Sequence, residues 1–180
     1  MVKKRFLKWV RIVFTISITA CVLSFPLAPE GKQLDSDVLD FSLSTIDGEK
    51  VCLKDYRGKK MVHLLFWATW CPKCLLEMPK IKKLHDAIGE RPYEILTVNV
   101  GYNDSPERIR KIKERYQIPC KILFDNGGKV SQGCGVMYVP RHIIIDKDGR
   151  VKDSFSELPE DPVKYLDQLF PQQNNLKAVK

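Results

Sequence analysis

Phe66-Trp67-Ala68-Thr69-Trp70-Cys71-Pro72-Lys73-Cys74 places two cysteines where a strand pattern gives way to a helix pattern. Upstream, Met61 to Phe66 is an apolar run that reads as a buried strand. Downstream, Leu75, Met78, Ile81, Leu84 and Ile88 follow a helical pattern. A C-x-x-C pair at a helix start sets two thiols one turn apart, which can close a small, reversible disulfide. A thiol in the first turn faces unpaired backbone N–H groups and the positive end of the helix dipole. Both favour the thiolate, so Cys71 is the expected nucleophile. Cys74 lies a turn further in, on the face turned toward the sheet, and that face continues through Glu77, Ile81, Leu84 and Ile88. A carboxylate on an apolar face, three residues from a buried thiol, is desolvated. Glu77 is therefore a candidate to take the Cys74 proton when that thiol resolves a mixed disulfide. The structural alternative is a glutamate that leans out to water or caps a neighbouring backbone group.

The flanking sequence alternates strand and helix. Phe41 and Leu43, with Val38, form one apolar edge of a hairpin that turns at Asp47-Gly48 and returns through Val51 to Leu53. After the motif helix come a strand from Tyr93 to Val100 and a helix opened by Ser105-Pro106 and running to Tyr116. A short strand Lys121–Phe124 and a short helix Lys129–Cys134 follow. Arg141–Ile145 and Arg150–Phe155 flank the turn Lys147-Asp148-Gly149, and Asp161-Pro162 opens a last helix ending near Phe170. The order ββ-β-α-β-α-β-α-β-β-α predicts an α/β sheet, parallel in part with antiparallel edges. No internal repeat or low-complexity tract interrupts it.

Charge locates a targeting segment. The 180 residues carry a formal net charge of +8. Lys3, Lys4, Arg5, Lys8 and Arg11 are all the charges of residues 1–28, so the rest holds 25 basic against 22 acidic groups. A nucleic-acid binder concentrates basic charge on its folded part, and this chain does not. The basic start and the uncharged stretch Ile12–Ala28 read as a signal peptide or short membrane anchor. Within it, Ile18-Thr19-Ala20-Cys21 resembles a bacterial lipoprotein box, in which Cys21 would be the lipidated residue. An uncleaved anchor with Cys21 as one small apolar residue is the other reading, and cleavage after Ala28 a third. All three export the folded part. The expected division is 1–28 leader or anchor, 29–36 linker, 37–171 folded domain and 172–180 flexible tail.

Trp67-Ala68-Thr69-Trp70-Cys71-Pro72-Lys73-Cys74, followed by Glu77-Met78-Pro79, resembles the active-site segment of the thioredoxin superfamily. More narrowly, it is similar to the TlpA/ResA-like branch of exported, membrane-tethered thiol–disulfide oxidoreductases. The likeness runs from about Val38 to Phe170 and includes the late segment Val139-Pro140-Arg141-His142-Ile143-Ile144-Ile145-Asp146-Lys147-Asp148-Gly149. It implies a thioredoxin-like fold, a central mixed sheet flanked by helices with an extra N-terminal β-hairpin. It also implies that Pro140 is a cis proline beside the cysteine pair, and that Val139 offers its backbone to an incoming peptide. Trp70, just before the pair, and Pro72, within it, are further substrate-binding positions that the resemblance implies. Leu65 stands where cytosolic thioredoxins carry a buried aspartate, so any acid–base role falls to Glu77, where this branch places its glutamate. The Pro72-Lys73 dipeptide leaves the redox potential unread.

The resemblance implies a protein-disulfide oxidoreductase in the bacterial cell envelope, on the extracytoplasmic side, tethered or periplasmic. It suggests a reductant fed by a membrane thiol-electron carrier, serving cytochrome c maturation, with no cofactor. An oxidase, isomerase or thiol peroxidase of the same fold stays open, as does a non-catalytic module holding Cu(I) or a partner through Cys71 and Cys74. Cys120 and Cys134 are spaced for a structural disulfide in an exported protein, or are two buried thiols. Cys52 has no evident partner. No second C-x-x-C is present, and His63, His85 and His142 are scattered, so no metal site is expected. His63 falls within a strand and reads as a core or edge residue.

Overall fold

The computed structural model describes residues 40–171. The leader, Cys21, the linker, Val38 and the tail from residue 172 lie outside the described residues.

Strands β1 (Ser42–Ser44) and β2 (Lys50–Cys52) form the hairpin, and a 3-10 turn at Leu53–Tyr56 follows. The core alternates as β3 (Met61–Trp67), α1 (Pro72–Ile88), β4 (Tyr93–Asn99), α2 (Pro106–Tyr116) and β5 (Lys121–Phe124). Then come α3 (Lys129–Gly133), β6 (Arg141–Ile145), β7 (Val151–Phe155) and α4 (Pro162–Leu169). Among the described residues the main sheet has five strands in the order β5-β4-β3-β6-β7. β3, β4 and β5 run parallel, while β6 and β7 run antiparallel to their neighbours. The expected elements all form, with ends moved by a residue. β3 continues through Trp67, β4 stops at Asn99, β7 starts at Val151, and Cys134 caps α3 from outside.

β3 is central and every one of its residues is buried, as a strand covered on both faces must be. Its period-2 alternation sends Met61, Leu65 and Trp67 into one core with Met78, Ile81 and Leu84 of α1, Ile109 of α2 and Leu166 of α4. Val62, Leu64 and Phe66 face the other way, onto Phe41, Val51 and Leu53 of the hairpin region. Burying a side chain of this size contributes about 1.5–3 kcal/mol. The hairpin also covers the β5 edge. Thr45 bridges Leu123, and the Ile46 N–H donates to the Ile122 carbonyl at 3.0 Å. That contact occupies backbone groups an open edge would leave available to other chains.

The two sheet faces decide between the bridged and unbridged readings of Cys120 and Cys134. Cys120 and Cys134 do not bridge; both thiols are unbonded and buried. Cys120 packs in the core under α1, and Cys134 in the core under the hairpin. With the sheet between them, the permissive loop length is irrelevant.

Candidate active site

The C-terminal end of β3 delivers the motif. Asn99 and Asp104 shape the turn that follows. Asp104 accepts the Thr69 N–H at 2.8 Å, the Thr69 hydroxyl, and the Asn99 amide at 2.8 Å. The Asn99 side-chain oxygen in turn accepts the Gly101 N–H at 3.0 Å. Trp70 is half-exposed, donates its indole N–H to the Tyr102 carbonyl at 2.7 Å and meets the Tyr102 ring edge-on. Asn99 and Asp104 carry no sequence signal of this role. They are ordinary polar residues near a strand end, brought to Thr69 by the parallel pairing of β3 with β4.

Cys71 is the N-cap of α1, one position earlier than the first turn, with Pro72 leading the helix. Its sulfur accepts the Cys74 N–H at 3.1 Å, one of the donors every helix start leaves free. Cys71 and Cys74 are joined as a disulfide across a Cα–Cα distance of 5.3 Å. Cys74 is fully buried and Cys71 is 5% exposed. Pro140 is buried, and the Val139–Pro140 bond is cis. The Val139 carbonyl oxygen lies 3.7 Å from the Cys71 sulfur. Pro72 and Lys73 are exposed on the rim, and Lys73 pairs with Glu157 at 3.1 Å in an ion pair open to water on both sides. Such a pair adds little stability.

Glu77 is buried at 7% exposure. One carboxylate oxygen accepts the Leu158 N–H at 2.6 Å, so it does cap a backbone group, the structural role its position allowed. The other lies 3.0 Å from His142 Nε2. His142 Nδ1 lies 2.8 Å from His63 Nε2, and both rings are fully buried. Three residues far apart in sequence thus form one buried polar chain. Two of the three histidines are therefore not scattered. β3 and β6 pair antiparallel with His63 opposite Ile144 and Leu65 opposite His142, so the two rings are diagonal neighbours on the α1 face. A strand pattern alone could not reveal the partner strand. Burial, and then the neighbouring His142, hold the His63 pKa well below its usual 6.5. His85 is apart from this group, beside Asp86 on α1.

Next to the motif, Trp70, Tyr102, Val136, Met137, Tyr138 and Val139 line an open groove of about 390 Å³. Met137 and Tyr138 are exposed there, an apolar surface next to a reactive pair. The Cys120 and Cys134 thiols stand apart, each pushed up to about 12 by burial, with Glu94 and Asp86 adding at Cys120 and Asp125 at Cys134.

A strand, a helix capped by a disulfide cysteine and a facing proline loop together make a thioredoxin-type thiol–disulfide site. Residues 34–154 match the AhpC/TSA family. Thiol-disulfide oxidoreductase ResA of Geobacillus thermodenitrificans (strain NG80-2) is 37% identical over 134 residues, covering 73% of this chain and 75% of its own. Thioredoxin-like protein YneN of Bacillus subtilis (strain 168) is 30% identical over 152 residues, covering 83% and 88% respectively. Among solved structures, the exposed lipoprotein thioredoxin Etrx1 of Streptococcus pneumoniae strain TIGR4 superposes with a TM-score of 0.61 at 30% identity, over 71% of this chain and 96% of that one. The chain belongs to the AhpC/TSA family and, within it, to the ResA-like thiol–disulfide oxidoreductases.

Proposed function

We propose that this oxidoreductase works as a reductant of protein disulfides outside the cytoplasm, tethered to the membrane through its N-terminal segment. The observation that carries the site assignment is the Cys71–Cys74 disulfide at the α1 start, with the Val139 carbonyl 3.7 Å from the Cys71 sulfur. In the reduced enzyme the Cys71 thiolate attacks a client disulfide. A Cys71–client bond forms, and the client's other sulfur leaves as a thiolate that takes a proton. Cys74 gives its proton to Glu77 and attacks the Cys71 sulfur. The client's second thiol departs, the client is reduced by two electrons, and the Cys71–Cys74 disulfide is regained. A membrane dithiol carrier would reduce it again. Val139 and Pro140, with Trp70 and Pro72 on the rim, would hold the client backbone over Cys71. Relatives bearing the name thiol-disulfide oxidoreductase support the chemistry. The relative described as an exposed lipoprotein supports the tether and, with it, lipidation at Cys21. Cytochrome c maturation is the process we assign to it.

Cys74→Ser tests this, because it leaves Cys71 able to attack and removes the resolving thiol. Cells carrying it should accumulate Cys71-linked mixed disulfides that vanish on adding dithiothreitol. Their absence, with the protein folded and exported, would reject the scheme. A reduction potential near the thioredoxin range of about −270 mV is expected of a reductant, whereas one near −120 mV would assign an oxidase.

A further inference from the structure

We propose that His142, backed by His63, is a positioning residue for Glu77, a one-way chain of N–H donors that holds the Glu77 side chain as a carboxylate on the Cys74 face of α1. The inference rests on the reading of Glu77 as the Cys74 proton acceptor. Each of the two contacts, His63 Nε2 to His142 Nδ1 and His142 Nε2 to Glu77 Oε2, holds one proton. The chain ends at His63 Nδ1, which is buried without a partner among the described residues. A bare ring nitrogen is tolerated there more readily than an N–H, because orphaned buried N–H groups are the rarer case. His63 therefore keeps its proton on Nε2 and donates to His142 Nδ1. His142 then carries its own proton on Nε2 and donates to Glu77. Leu158 N–H supplies the donor for the other oxygen, so both carboxylate oxygens are met.

A proton placed on Glu77 Oε2 reverses the direction of the chain, since that oxygen then donates to His142 Nε2. The reversal leaves an N–H at His63 Nδ1, a buried position with no acceptor among the described residues. The depressed His63 pKa agrees with a ring that stays neutral. The titratable groups facing this chain are Cys74 on α1, Tyr93 on β4 beside His63 and, beyond Phe155 stacked on His142, the Tyr165–Asp153 pair. The Lys73–Glu157 ion pair lies outside it, at the surface next to Leu158.

The test uses the full chain, reduced and mixed with a nitrobenzoate disulfide. Cys71 attacks first and releases one aromatic thiol, leaving a Cys71–aryl disulfide. Cys74 then releases the second and closes the enzyme disulfide. The rate of the second release, followed from about pH 5 to 9, reports the proton acceptor. Glu77→Gln should slow this release and shift its acid limb up to the range where the Cys74 thiol ionises unaided. His142→Phe should move that limb up by about one pH unit, tenfold in rate on the limb. His142→Gln, which keeps an N–H donor, should bring it back toward the wild-type position. A limb unmoved by His142→Phe but shifted in Glu77→Gln would overturn this inference and leave the Glu77 reading standing. A limb unmoved in Glu77→Gln would overturn both. Should His142→Phe fail to fold, nitrogen NMR of histidine-labelled wild-type protein decides. Both rings should show the Nε2–H tautomer at neutral pH, and an Nδ1–H on either would overturn the proposal.

Discussion

Asp104 joins the turn before Cys71 to the end of β4, accepting from Thr69 twice and from Asn99 once. Asp104→Ala would leave the Thr69 N–H and the Asn99 amide without that acceptor in a partly buried place. Each such orphan costs about 1–3 kcal/mol, so a loss of about 2 kcal/mol or more is expected in denaturant unfolding. Disulfide turnover should fall with it, because the loop that aims Cys71 is no longer held. Gly101 makes a second case. Its φ is +71°, and an added Cβ would sit 2.2 Å from the Asp125 carbonyl oxygen. Neither the backbone angle nor that backbone atom can yield easily. Gly101→Ala should therefore destabilise by more than about 1 kcal/mol, read as a lowered unfolding midpoint. Neither residue was legible as important in the sequence, since both act on partners that only the sheet pairing supplies.

Between elements, β3 and β6 place a histidine that resists protonation inside the core. His63 has a folded-state pKa depressed from 6.5, so above that value it is neutral in both folded and unfolded chains. As pH falls below about 6.5, the unfolded chain takes up a proton that the folded one refuses. Stability should then drop by about 1.4 kcal/mol per pH unit from this group alone. His63→Phe should flatten that acid slope in urea titrations taken at successive pH values. The buried thiols act in the opposite range. Cys120 and Cys134, raised to about 12, stay protonated when folded after unfolded thiols have ionised, so their contribution falls as pH rises above about 9 and is lost through about 12. At mildly alkaline pH iodoacetamide should label neither in the native, reduced protein, while Cys71 reacts; mass mapping would show it. The strand and helix periods were legible because each is written in consecutive residues. Which thiol faced which core was not, because that depends on where the crossover to α3 lands.

At the scale of the molecule, an apolar groove borders the site through Trp70 and Val139, and in it Met137 is 89% exposed and Tyr138 57%. A protein client would cover these side chains and a small disulfide would not. Met137→Ser with Tyr138→Ser should raise the KM for a protein disulfide at least several-fold. It should leave turnover of a nitrobenzoate disulfide within about twofold, since such exposed sites rarely affect stability by more than about 0.5 kcal/mol. The order of elements and the strand-to-helix placement of Cys71 and Cys74 were determined by the sequence itself. Each follows from local periodicity and from the geometry of a helix start, which need no distant partner. The tertiary structure alone decided the rest. It separated Cys120 from Cys134, tied Thr69 to Asp104 and lined up His63, His142 and Glu77. Those outcomes depend on sheet order and register, which bring together residues as much as 79 positions apart along the chain.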